Sequence, residues 1–374
     1  MENILRKLVA FPTVSGDAAA MHDLLEYVSD FLITRGMHVE RYESRGYESL
    51  VATTRQGNKR PAVMLGAHAD VVFADSSMFD MQTQNGKYVG RGVLDMKFAL
   101  ASYLLLVDQL QNSLENYDFG IMVTGDEETG GRNGVAKLLA EGYLPQVCLL
   151  PDGGENWQIQ TASKGSLQFN ISLLGKTAHG SRPWLGENAL VKLLAVLDEI
   201  ASHFPRHPHP DTNTITLSVI NGGEAANQVP GRATMSIDIR TVNMAEHDRL
   251  RTLVFDICRA QQAVCELPVD AVPTSFDLKN RWIAPYAKHV YAVTGTKVHG
   301  SKTLGSSDAR YFIPHDVPVI SLYPTGGNLH ADGEWIGIEA LRHFHEITIR
   351  YVKEMALASV SSAAKPLAKL TAIR

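Results

Sequence analysis

Four short apolar runs, each stopped by a turn, set the frame of the chain: "PAVMLGAHAD", "YDFGIMVTGDEE", "PQVCLLPDGG" and "VPVISLYPTGGNLH". Continuous apolar runs bounded by Gly, Pro or Asp suit strands buried on both faces. Stretches with helical spacing, "MKFALASYLLLVDQL" and "NGVAKLLAEG", separate the first three. Strand and helix in alternation predict an α/β fold with a mostly parallel sheet covered by helices on both faces. In such sheets ligands bind beyond the carboxyl ends of the strands. The opening "MENILRKLVAFPTVSG" predicts a short amphipathic helix bearing Ile4, Leu5, Leu8 and Val9, ended near Pro12.

The pattern changes at about Ser166. "SLQFNISLLG" and "ATMSIDIRTV" alternate apolar and polar residues, as strands with one wet face do. Two helical patterns, "NALVKLLAVLDEIASHF" and "AEHDRLRTLVFDICRA", lie among them. Residues 166–275 therefore read as an α+β domain inserted between two parts of the first, 1–165 and 276–374. No tandem repeat is present, and the tail "ASVSSAAKPLAKLTAIR" reads as weakly ordered.

Composition narrows the function classes. The 374 residues are 45% hydrophobic, enough for a substantial core, and carry a formal net charge of -5. That charge gives no chain-wide attraction to nucleic acid or to an anionic membrane. No segment has the length of a membrane span, and the start lacks the apolar core and cleavage site of a signal peptide. The cysteines Cys148, Cys258 and Cys265 sit in apolar-rich contexts without a C-x-x-C pair, so they are expected as reduced thiols in a cytoplasmic protein.

The candidate chemistry collects at the strand ends. The first run ends in His68 and Asp70, the second in Glu127 and Glu128, the third in Asp152, and the fourth is followed by His330. Asp95, in the turn "GRGVLDMKFAL", comes to the same edge. Each has an ordinary reading alone: Asp95 as a helix cap, Asp152 as a turn residue, either histidine as structural. A metal site accounts for all of them together. Imidazole and carboxylate without thiolate suit zinc, with cobalt or manganese as alternatives, rather than calcium or an iron–sulfur cluster. Five ligands suffice for two ions roughly 3.5–4 Å apart sharing one carboxylate. If Glu127 and Glu128 continue the strand, their side chains diverge, leaving one to bind metal and the other to move a proton. Asp126 is expected to bond the amides of the glycine-rich turn.

On these residues the chain resembles the M20 family of metallopeptidases and amidohydrolases, which includes desuccinylases, deacetylases, aminoacylases and di- and carboxypeptidases. The matching segments are "GAHADVV", "GRGVLDMKFAL", "TGDEETGGRNG", "PDGG", "GKTAHGSRPWLGENAL", "NQVPGRATMSIDIR", "GSSDARYF" and "NLHADGEWI". The resemblance implies a zinc-peptidase-like catalytic domain with an inserted lid and dimerisation domain. It also implies that Asp95 bridges two zinc ions, completed by His68 and Asp152 on one side and by Glu128 and His330 on the other. Glu127 would be the general base and acid, and Asp70 would fix the imidazole of His68. A cis peptide between Asp95 and Met96 is implied as well.

In the inserted segment the resemblance makes His179 a residue that reaches a partner subunit's site and steadies the oxyanion, which implies a homodimer. Asn227 and Arg240 match substrate contacts, the latter to a carboxylate, and Gly305 and Ser306 match a loop that adds further contacts. "RHPHPD" and the pair His343 and His345 have no role in the pattern and are assigned no metal. Asp152 resembles the aspartate of aminoacylases and some M20 aminopeptidases and dipeptidases, whereas "GSSDARYF" resembles the desuccinylase loop. The implied activity is metal-dependent hydrolysis of the amide of an N-acyl amino acid or short peptide bearing a free carboxylate, with a dipeptidase or exopeptidase as the alternative. A catalytically silent metal- or ligand-binding relative and an assembly subunit are the readings from other classes. The intact Glu127 and five ligand candidates weigh against the first, and the lack of a large unexplained apolar segment against the second.

Overall fold

The structure, a computed structural model, describes residues 1–305 and 307–357. Its main sheet has six strands in the spatial order His38–Ser44, Tyr47–Thr53, Phe119–Thr124, Val63–His68, Cys148–Leu149, Val319–Ile320. The last four run parallel, and Tyr47–Thr53 alone opposes them, antiparallel to both Phe119–Thr124 and His38–Ser44. All four apolar runs are thus strands of one sheet. Two are only two residues long, because Pro145 and Pro318 flank one end and Pro151 and Pro324 interrupt the other. The antiparallel hairpin at the edge is an addition: its first strand alternates exposed and half-buried residues, a weaker signal than a buried run.

Helices cover the sheet. Lys97–Leu110 is buried along nearly its whole length, from Phe98 to Leu110, and packs on Glu2–Val9 and Ile338–Met355. The first helix buries Leu5, Leu8 and Val9 and ends at Val9, three residues before Pro12. A small sheet made of Gln82–Gln84, Lys87–Val89, Trp335–Gly337 and Gly326–Gly327 ties the late segment around His330 to the loop before Asp95. That pairing joins chain segments far apart in sequence at the carboxyl edge of the main sheet.

A second core is built by a four-stranded antiparallel sheet, Thr214–Gly222, Arg232–Thr241, Gly165–Leu174 and Val264–Ala271 in spatial order. Leu167, Phe169, Ile171 and Leu173 alternate inward with Ala233, Met235, Ile237 and Ile239 beneath the helices Ala189–Ala201 and Met244–Ala260. Asn188 and Asn243 cap those helices through their side chains. The outer strand Thr214–Gly222 leaves one edge unpaired among the described residues. The expectation for the tail from Ala358 onward falls outside the described residues.

Candidate metal centre

His68 is the last residue of its strand and is buried. Its Nδ1 lies 3.0 Å from the carbonyl oxygen of Asp70, so that nitrogen donates and Nε2 is turned toward Asp95, 3.1 Å away. The ring therefore meets Asp70 more closely through the backbone than through the carboxylate, which stands at 3.5 Å. That carboxylate instead accepts the backbone N–H groups of Glu127 at 3.2 Å and Glu128 at 3.0 Å.

This capping corrects the expectation of an extended strand through the acidic triplet. The strand stops at Thr124, and Glu127–Thr129 forms a 3-10 turn with Asp126 before it. Asp126 accepts the N–H of Asn133 at 2.6 Å on its carboxylate and that of Gly131 at 2.7 Å on its carbonyl. With donors supplied for its amides, the turn is favoured over continued strand. Both glutamates then project toward His68 rather than to opposite faces: ligand atoms of His68, Glu127 and Glu128 lie within 4.8 Å of one another.

Two further triads meet the same limit among the described residues: His68, Asp95 and Asp152, and Asp95, Glu128 and His330. Asp95 belongs to both. Its Oδ2 lies 3.0 Å from His330 Nε2, which is also 3.3 Å from Glu128 Oε1. Asp152 Oδ2 is buried without a hydrogen-bond partner. A buried carboxylate oxygen without a donor, amid three further carboxylates and two imidazoles, is what a divalent cation would satisfy. The peptide between Asp95 and Met96 is cis.

Electrostatics agree with a site short of positive charge. Hydrogen bonds to Asp95 and Glu128 push the His330 imidazole up to about 10. Burial acts to lower His68, but its contacts with Asp70 and Asp95 outweigh it and hold the ring well above its ordinary value. Burial, then the negative charge of Asp95, raises Asp152 to about 6. Burial followed by the charge of Asp152 holds Glu127 well above the usual carboxylate range.

The pocket around these groups is also lined by Gly130, Arg310, Tyr323 and Leu329. His179, Asn227, Arg240 and Gly305 are not among its lining residues. His179 is exposed on the second unit, next to the segment of Asn227, whose carbonyl accepts the N–H of Gly180 at 2.6 Å. Arg240 makes a two-point ion pair with Asp238, at 2.7 and 3.1 Å. Gly305 is exposed in the loop after Gly300–Thr303, and Ser306 lies outside the described residues.

Four residues at the site carried no role in the sequence reading. Arg310 donates to the carbonyls of Ser307 and Gly130, bracing the glycine-rich turn. Asp308 is buried against Gly131, and burial raises its carboxyl to about 7. Tyr323 places its hydroxyl among the ligand carboxylates. Glu334 is fully buried behind Asp95. All four lie in or beside segments already singled out, yet an Arg or Glu in a loop normally reads as solvated, and only tertiary pairing distinguishes these.

An α/β sheet whose carboxyl edge gathers these imidazoles and carboxylates, with a recessed glutamate beside them, defines a hydrolytic enzyme. The chain belongs to peptidase family M20/M25/M40, whose sequence model matches residues 64–354. It is 28% identical over 386 residues to a succinyl-diaminopimelate desuccinylase of Rhodospirillum rubrum, covering 92% of this chain and 95% of that protein. Among solved structures it is similar to aminopeptidase PepT of Bacillus cereus, with a TM-score of 0.74, 19% identity and coverage of 95% and 97% of the two chains. The dipeptidase Dug1p of Saccharomyces cerevisiae gives a TM-score of 0.67 at 16% identity, over 94% and 95% of the chains. These structural likenesses concern the fold.

Proposed function

We propose that the protein is a metal-dependent amide hydrolase that cleaves an N-acyl amino acid, or a short peptide, bearing a free carboxylate. The observation that carries this reading is the pair of donor triads sharing Asp95, with Glu127 recessed at their side. His68 and Asp152 would hold one divalent ion and Glu128 and His330 a second, with zinc the simplest match to the donors. Bound there, the ions would polarise the amide carbonyl and acidify water. Glu127 would take a proton from the attacking water on its carboxylate and return it to the departing amine nitrogen. Asp70 holds the amides of both glutamates and so fixes their approach.

The deacylase reading is favoured over the dipeptidase one by the desuccinylase relative, which aligns over most of both chains. Asn227 and Arg240 would contact the substrate, the guanidinium of Arg240 donating to the substrate's carboxylate, with Gly305 and Ser306 adding contacts from their loop. His179 would act on a second copy's site. An apolar outer surface suits such a pair: Leu217, Val219 and Ile220 on the edge strand, with Val191 and Leu194 on the adjacent helix, are exposed. The cysteines are free, Cys148 and Cys258 buried, which suits a reducing cytoplasm. No helix among the described residues is long and apolar enough to cross a membrane.

The test is turnover of N-acetyl, N-succinyl and N-formyl amino acids and of dipeptides by chelated protein and by protein reloaded with zinc, cobalt or manganese. Turnover restored by metal supports the reading, and the preferred substrate chooses the branch. Stoichiometric metal uptake without turnover across the panel would favour a silent binding protein.

A further inference from the structure

Tyr323 is a phenol in the wall of the metal pocket that neither the ligand set nor the base accounts for. It follows the strand Val319–Ile320 by three residues and is buried, 8% exposed, facing the cavity bounded by Asp95, Asp152 and His330. Its hydroxyl stands 2.8 Å from Asp152 Oδ1 and 3.1 Å from Asp95 Oδ1.

A phenol has one proton and serves one acceptor at a time. Two features direct it to Asp152. The contact is shorter, and Asp95 Oδ1 already faces His68 Nε2 at 3.1 Å. Asp152 is left with one oxygen held by Tyr323 and the other, Oδ2, buried and without a partner. A carboxylate free to rotate about its last bond can offer either oxygen, or both, to a cation. One tethered at Oδ1 presents Oδ2.

Resting on the reading that this cluster binds two ions, we propose that Tyr323 is a positioning residue for the metal centre. Its hydroxyl orients Asp152 so that Oδ2 faces the ion shared with His68, and it thereby sets the affinity of that ion relative to the one held by Glu128 and His330. The effect is selective because the phenol bears on a ligand of only one of the two triads besides the shared Asp95. Partners behind a ligand typically set metal affinity by roughly 10- to 100-fold.

Tyr323→Phe removes the proton and keeps the ring, so packing is retained. Metal-free wild type and variant are titrated with zinc against a chromophoric chelator to resolve two dissociation constants, with Asp152→Asn run alongside to identify the Asp152 site. The expected result is a rise of roughly 10- to 100-fold in the constant that Asp152→Asn also weakens, with the other constant within about threefold of wild type. Cobalt-loaded variant should show altered visible bands for the same ion, a readout that a general loosening would not confine to one site. Two constants within about twofold of wild type, or equal losses at both sites, would overturn the role of Tyr323 while leaving the two-ion reading intact. Failure of the wild type to take up two ions overturns both, and is recognised before the variant is compared.

Discussion

The carboxylate of Glu334 holds the backbone of Asp95 in place. Oε1 accepts the N–H groups of Leu94 at 2.8 Å and Asp95 at 3.0 Å, while Oε2 accepts Arg91 at 2.7 Å and the N–H of Gly92 at 3.2 Å. All of this is buried, so the position of the carboxylate shared by both triads depends on a residue 239 positions further along the chain. Glu334→Gln removes the charge that offsets buried Arg91. A loss of about 3–5 kcal/mol in urea unfolding of the metal-free protein is expected, the usual consequence of breaking a buried pair. A loss below about 1 kcal/mol would show that the pair with Arg91 contributes no more than an exposed ion pair does.

Glu127 lines the pocket beside both triads and is the residue we propose to move the proton. Glu127→Gln keeps its size and removes its basicity. Turnover should fall by at least about 100-fold, while metal content measured by emission spectroscopy stays at the wild-type stoichiometry. Activity within about tenfold of wild type at full metal loading would assign the proton transfer elsewhere.

The turn carrying Glu127 and Glu128 is closed by Gly131, which has φ +63° and lies directly over Asp308. A Cβ there would stand 1.8 Å from Asp308 Oδ1. Gly131→Ala should therefore cost about 2–4 kcal/mol, combining left-handed strain with displacement of a buried carboxyl. Gly57, with φ +69° and nothing within 4 Å of its Cβ position, is the comparison. Gly57→Ala carries the strain alone, about 1 kcal/mol, and equal losses in the two variants would remove Asp308 from the explanation.

The strand ends that bear His68, Glu127, Glu128 and Asp152 were legible because buried parallel strands leave continuous apolar runs, and each ends at a polar turn. The convergence of those ends follows from topology alone. What was not legible depends on contacts between distant segments. Whether Glu127 and Glu128 continue a strand is decided by the Asp70 carboxylate, which caps their amides. The hydroxyl of Tyr323 acquires meaning only when the preceding strand, Val319–Ile320, pairs beside Cys148–Leu149, and Glu334 only when the small sheet brings Trp335 against Val89. Periodicity reports burial along one element and is silent on such pairings.

His345 offers a pH test remote from the metal centre. Its Nδ1 faces the Ser102 hydroxyl at 3.2 Å and its Nε2 the Gln109 side-chain oxygen at 3.1 Å, which suits a neutral ring donating from Nε2. Burial depresses it from 6.5 to about 4. Between these values the unfolded chain binds the extra proton, so this contribution is complete above about pH 6.5 and is lost as the pH falls toward 4. Allowing for its part exposure, it amounts to about 1–2 kcal/mol. Urea unfolding at pH 7.5 and pH 5 should show a smaller acid loss in His345→Gln than in wild type. Parallel losses would mean that the ring is protonated in the fold without penalty.

His179 is exposed, turns its Nδ1 to the Ser181 hydroxyl at 2.9 Å, and is not among the residues lining the pocket of its own chain. The proposal that it steadies the oxyanion from a second copy is tested directly by mixing two inactive variants. In a mixed dimer of His179→Ala and Glu127→Gln subunits, one site combines an intact Glu127 with the partner's intact His179, and the other has neither. Random reassembly in equal amounts makes half of the dimers mixed, each with one competent site of two, so turnover should recover to about a quarter of wild type. Chromatographic sizing of the separate variants should give the same dimer. A mixture as inactive as its components would place the action of His179 within its own chain, and an active His179→Ala protein would remove it from the mechanism altogether.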